Sequence, residues 1–201
     1  MSRALIFFQH NPFPPSTGAH QRCMAVIRGL KDLGWEVTLL GANLLTDTHW
    51  SPSLIRELER HAGIEVVVYH GTAADMAYSR KINWLDLPRK IWGDFAPPGL
   101  RRAFRRQVEA SAPDVVVVNY TYFGNLVRGV PRNQTITIME TLDLFSLNAR
   151  MQNVVSRYIP QSPISPERAP SDLLDEDFFA EARVEAYPEE YGITKTFNLI
   201  L

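Results

Sequence analysis

The stretch Phe7 to Arg22, "FFQHNPFPPSTGAHQR", places a hydroxyl pair (Ser16, Thr17), a glycine (Gly18) and a histidine (His20) directly ahead of a helical pattern. Backbone N–H groups at a helix start can receive an anion, and a residue without Cβ lets a phosphate come close to the main chain. The same residues also read as a proline-stiffened loop in which Ser16 or Thr17 caps the helix. Two other segments put polar or aromatic groups at the ends of apolar runs: "NYTY" after "DVVVV", and "ETLDLFS" after "TITIM". Tyr120, Tyr122 and Phe123 could stack on a sugar or an acyl chain, but aromatic residues at a strand end are more often core.

These three segments matter only if a scaffold brings them together. "ALIFFQ" (Ala4 to Gln9) is a continuous apolar run bounded by turn formers, which suits a strand covered on both faces. From Ala19 the period becomes helical, with Cys23, Val26, Ile27, Leu30 and Leu33 on one face and Gly34 as the stop. "WEVTLLG" then supplies a second strand. The pattern repeats with Ser51 as N-cap, Pro52 at the first helical position, Gly63 at the end, and the strand "IEVVVYH". A helix around Leu100 to Val108 feeds "PDVVVVN", a short helix spans Tyr122 to Gly129, and "QTITIME" is another strand. Strands alternating with helices predict an α/β fold, a Rossmann-like, mostly parallel sheet with helices on both faces. Ligands of such sheets bind at the carboxyl ends of the strands, where all three segments lie.

Residues 71–98 show no sustained period and read as irregular, with room for one short helix. Residues 159–171 are proline-rich, Asp172 to Tyr187 returns to helix, and "TKTFNLIL" reads as a last strand, near which an apolar edge or face is expected to be exposed if a second domain is missing.

Composition narrows the function. The 201 residues carry a formal net charge of -1, so no global field recruits nucleic acid. Cys23 is the single cysteine, which excludes an internal disulfide and a cysteine-rich zinc site and fits a reducing, cytoplasmic setting. His49, His61 and His70 lack metal-ligand spacing, so no metal is expected. Neither G-x-G-x-x-G nor a P-loop is present, which argues against a standard dinucleotide or NTP site. No apolar stretch approaches the roughly 20 residues of a membrane span. Arg101, Arg102, Arg105 and Arg106 form a basic stripe that reads as a solvated helix face or as a peripheral contact with a membrane or lipid-linked acceptor.

"NPFPPSTGAHQRCMAVIRGLKDLGWEVTLLG" resembles the opening of family 4 glycosyltransferases of GT-B architecture: strand, P-x-P-x-x-G-G, x-x-x-R, amphipathic helix, then L-x-x-x-G-H-E-V-x-L. Pro12, Pro14 and Pro15 supply the prolines, Gly18 the first glycine and Arg22 the arginine, with Arg22 one residue nearer the glycine than in that pattern. "ETLDLFSLNAR" is similar to a D-T-H-D-x-F-S-x-x-x-x-R segment of that family through Glu140, Thr141, Asp143, Phe145 and Ser146, with Arg150 one residue nearer the serine than the motif's arginine. The likeness covers about residues 1–150.

The resemblance implies an N-terminal, acceptor-side domain of a retaining, metal-independent and cofactor-free enzyme that moves a sugar from a nucleotide sugar to a sugar or lipid-linked acceptor. It implies donor or acceptor contacts at Ser16, Thr17, Gly18, His20, Arg22, Asn119, Tyr120 and Glu140. It makes Asp143 the candidate hydrogen-bonding group or general base. Three positions depart from the pattern: Ala19 replaces the second glycine, Leu142 replaces a histidine, and Asn119 stands where relatives often carry histidine. The nucleotide-binding second domain, with its basic pair and E-x7-E carboxylates, has no counterpart in 1–201, so the chain is expected to be inactive without a partner chain or second domain. The rivals are a non-catalytic carbohydrate-binding or partner-completed subunit and a flavodoxin-like mononucleotide module.

Overall fold

The computed structural model describes residues 1–44, 50–84, 94–141, 144–158, 185 and 187–200. Six strands form one parallel sheet in the order β3-β2-β1-β4-β5-β6: β1 Arg3–Phe7, β2 Glu36–Asn43, β3 Glu65–His70, β4 Val115–Asn119, β5 Ile136–Glu140 and β6 Leu199–Ile200. The helices are α1 Gly18–Asp32, α2 Pro52–Ala62, α3 Ala73–Trp84, α4 Pro98–Ser111, α5 Phe145–Tyr158 and α6 Pro188–Thr194, with a 3-10 helix at Thr121–Val127. The chain is thus an α/β protein of Rossmann-like type.

The continuous apolar strands follow from cover on both faces. Leu5, Phe7, Val116 and Val118 pack with Leu100, Phe104 and Val108 of α4 and with Phe123 and Leu126 of the 3-10 helix. Ala4, Ile6, Val115 and Val117 pack on the other face with Cys23, Met24 and Ile27 of α1 and Leu58 of α2. Each of these strands therefore has no polar face to show.

Local chemistry sets the helix ends. Ser51 Oγ accepts from Leu54 N–H, Pro52 opens α2, and Gly63 closes it at φ 63°. Gly34, at φ 78°, turns the chain after α1. Leu33 departs from its expected inward face: it is the C-cap residue of α1 and is exposed, because the helical period ends before it.

The segment from Gly71 is more regular than its sequence suggests, since α3 occupies 12 residues of it. Asp75 explains how that helix is held. Its carboxylate accepts from Tyr69 Oη (2.5 Å), Thr72 N (3.0 Å), Thr72 Oγ1 (2.7 Å) and Gly99 N (3.0 Å). This clasp ties the β3–α3 turn to the first turn of α4, on the way to β4. Residues 85–93, the proline-rich 159–171 and residues 172–184 of the helix expected over Asp172 to Tyr187 lie outside the described residues; Glu185 and Tyr187 are not helical, Tyr187 being the N-cap of α6.

Among the described residues no helix is long and apolar enough to cross a membrane. The last strand pairs with β5 and leaves Leu199 and Ile200 exposed, as expected for an open edge.

Candidate functional site

In the order 3-2-1-4-5-6 the chain leaves β1 toward β2 on one side and returns to β4 on the other. The carboxyl ends of β1 and β4 therefore border the crevice where open α/β sheets take ligands. The loop before α1 begins at β1, Asn119 and Tyr120 end β4, and Glu140 ends β5, in register with Asn119.

The first loop builds a helix start rather than a loose turn. Thr17 Oγ1 accepts from His20 N–H at 3.2 Å, making Thr17 the N-cap, and Ser16 Oγ lies 3.2 Å from His20 Nδ1. The His20 ring also meets Phe8 edge-on, with centroids 5.9 Å apart. Asn11, buried, accepts from Phe13 N–H at 3.0 Å, and the Phe13 ring rests on His61 at 4.6 Å. A Cβ at Gly18 would meet nothing within 4 Å, so the space beside the first turn is open. No acidic residue offsets the positive end of the helix dipole there.

One turn further on, Arg22 forms an ion pair through Nε with Oε1 of Glu140. The arginine side chain is about half exposed, at 47%, while Glu140 is 1% exposed as a residue. Burial pushes the Glu140 carboxyl above its ordinary value, and the Arg22 guanidinium pulls only part of the way back. A carboxylate thus sits beneath the crevice and a guanidinium covers it at the surface. Burial, with Glu140 nearby, also raises the Cys23 thiol far above its usual range, so Cys23 is inert.

Asn119 Nδ2 donates to the Phe7 carbonyl at 3.1 Å, joining the ends of β4 and β1. Its amide nitrogen therefore serves the sheet. Tyr120 follows at φ 70° and ψ 134°, a conformation that L-residues rarely adopt and that costs about 1–3 kcal/mol. Its ring stacks on Tyr122 (4.9 Å, 14°) and Phe8 (6.2 Å, 27°), and its N–H donates to the Glu140 carbonyl at 3.0 Å. The aromatic rings bridge the two cores at the mouth of the crevice.

Asp143 and Leu142 lie outside the described residues. The remainder of the "ETLDLFSLNAR" segment turns inward. Ser146 N and Oγ donate to Glu190 Oε2 (2.9 and 2.5 Å), Thr121 Oγ1 donates to Glu190 Oε1 (2.6 Å), and Tyr187 N donates to Ser146 Oγ (2.9 Å). Arg150 donates to the Glu185 carbonyl and lies over the Tyr187 ring at 5.4 Å. Ser146 and Arg150 therefore fasten α6 to α5, and the buried Glu190 holds the 3-10 helix, α5 and α6 together. Nothing in local sequence periodicity marks Glu190 for this task.

Of the expected contact residues, Ser16, Thr17, Gly18, His20 and Arg22 follow β1, and Asn119, Tyr120 and Glu140 stand at the carboxyl ends of β4 and β5; the Arg22–Glu140 pair and the contacts of Phe8 with His20 and Tyr120 connect the two groups. The arrangement can receive an anion at the open first turn of α1, beside Arg22. The sequence matches no known protein family and no curated protein.

Proposed function

We propose that residues 1–201 form the acceptor-side domain of a nucleotide-sugar-dependent, retaining glycosyltransferase of GT-B architecture and family 4 type. The observation that carries this reading is the Arg22–Glu140 pair across the β1/β4 switch point. Two positions singled out by separate segments of the family-like pattern, far apart in sequence, meet at the place where a Rossmann-like sheet binds ligands. In this reading the open first turn of α1 and Arg22 face the donor phosphates. Glu140 holds Arg22 in place from beneath, and Asp143 is the candidate general base toward the acceptor hydroxyl. The resemblance implies a reaction without metal, and the start of α1 offers positive charge where a leaving phosphate would sit.

A donor nucleotide needs a second wall, supplied by another domain of the same polypeptide or by a partner chain. A partner-completed binding subunit is the second reading, favoured by Asn119, whose amide nitrogen is engaged by Phe7. The test is to incubate the purified 201-residue chain with a panel of nucleotide sugars and saccharide acceptors. Binding is followed calorimetrically and products by mass spectrometry. The proposal expects saturable binding of a nucleotide sugar or saccharide, at least tenfold weaker in Arg22→Ala, and no turnover. Tight binding of a flavin or free mononucleotide, with no response to sugars, would overturn it.

A further inference from the structure

A cavity of about 300 Å3 opens between α4 and the loop that joins the 3-10 helix to β5. Pro113 and Thr135 on its wall stand just before β4 and β5, so the cavity lies at the amino ends of the strands. The Arg22–Glu140 crevice is at the carboxyl ends, roughly 16 Å away along a five-residue strand. The two sites share no residue.

The floor of the cavity is apolar: Phe104, Val108, Leu126 and Val130 line it, and all four are buried. The rim carries two exposed arginines, Arg105 from α4 and Arg128 from the loop. The Arg105 guanidinium lies over Gly129, where an added Cβ would stand 3.7–3.9 Å from its Nη2, Nε and Cζ atoms. Gly129 is at φ 93°, so the loop adopts there a backbone that L side chains disfavour. Among the described residues, no carboxylate lies within ion-pairing distance of Arg105 or Arg128, and neither guanidinium has a hydrogen-bond partner. Glu109 also lines the cavity, one helical turn from Arg105, and forms no ion pair with it.

An apolar bowl with a few convergent polar groups has the composition of a small-molecule site. Two unpaired cations at its mouth select an anionic headgroup. The volume is about twice that of a ~150 Å3 cavity able to hold benzene, which suits roughly ten non-hydrogen atoms. We infer that this cavity binds a small apolar monocarboxylate, with its tail on Phe104, Val108, Leu126 and Val130 and its carboxylate between Arg105 and Arg128. Linear acids of six to eight carbons fit this description.

The test is calorimetric titration of the 201-residue chain with butanoate, hexanoate and octanoate, with octan-1-ol as the neutral control. Methyl NMR on Val108, Leu126 and Val130 locates the ligand. Affinity is expected to rise up to about fourfold per added CH2 until the cavity is full. Arg105→Ala and Arg128→Ala should each weaken octanoate at least tenfold while leaving octan-1-ol unaffected. Both arginines are exposed, so these variants should fold. Octanol binding as tightly as octanoate, methyl shifts confined to other residues, or no saturation below about 10 mM would each overturn the inference.

Discussion

Asp75→Asn measures how firmly the crossover into β4 is anchored. Asp75 is 4% exposed, and its two oxygens divide four donors: Oδ1 takes Gly99 N–H, and Oδ2 takes the Tyr69 hydroxyl and both Thr72 donors. Burial by itself would raise the carboxyl. The donors from Tyr69, Thr72 and Gly99 outweigh it and hold the group at about 2, against an ordinary 3.8. That difference is worth about 2 kcal/mol. Because the folded value is the lower one, this stability is present above about pH 4 and is lost as pH falls through about 2. An asparagine must put its NH2 against at least one of the donors, whichever way it turns. Asp75→Asn should therefore lose about 2–3 kcal/mol at pH 7, read as a lower urea midpoint at unchanged slope. The gap to the wild type should close between pH 4 and pH 2. A loss below about 0.5 kcal/mol at pH 7, or a gap that persists at pH 2, would refute the reasoning.

Gly99→Ala should destabilise by about 1–3 kcal/mol despite the better helix propensity of alanine, because its Cβ collides with the Tyr69 hydroxyl and the Asp75 carboxylate; a variant that melts at or above the wild-type temperature contradicts the clasp. For Glu140 the folded carboxyl value is raised, so the stability of its neutral form is complete below about pH 4.5 and is lost as pH climbs through the folded value. Glu140→Gln is accordingly expected to be at least as stable as the wild type at pH 8 and to converge with it at pH 4, and a marked loss at pH 8 would mean that Arg22 more than offsets the burial. Gly18→Ala should be neutral or gain up to about 1 kcal/mol, since its Cβ meets nothing and its backbone is ordinary. The same substitution should weaken binding of a phosphate-bearing ligand about tenfold, and unchanged binding would remove Gly18 from the site.

Strands β1 and β4 were readable because each is buried on both faces, so their sequences are uninterrupted apolar runs. The starts and stops of α1 and α2 were readable because Thr17, Ser51, Gly34 and Gly63 act within a few residues of themselves. Helix α3 was not, since it shows little one-sided apolar pattern and is held by Asp75 through partners as distant as Gly99. The same limit applies at the site. Arg22 and Glu140 could each be picked out, yet their pairing depends on β1, β4 and β5 lying side by side. Asn119 read as a donor or acceptor contact, and only the strand order shows that its amide nitrogen holds the Phe7 carbonyl. Ser146 and Arg150 fell in a segment read for chemistry, but their partners come from residues 185–190, which no local period connects to them.

The central claim, that the crevice of Arg22, Tyr120 and Glu140 receives a sugar or its nucleotide donor, is tested most directly by amide chemical-shift mapping of the 201-residue chain. Nucleotide sugars and simple saccharides would be titrated in turn against the wild type and Arg22→Ala. The account predicts saturable shifts gathered on residues 16–22, 119–122 and 140–141, reduced at least tenfold in affinity by the substitution. Shifts that gather elsewhere on the sheet, or that survive Arg22→Ala unchanged, would contradict it.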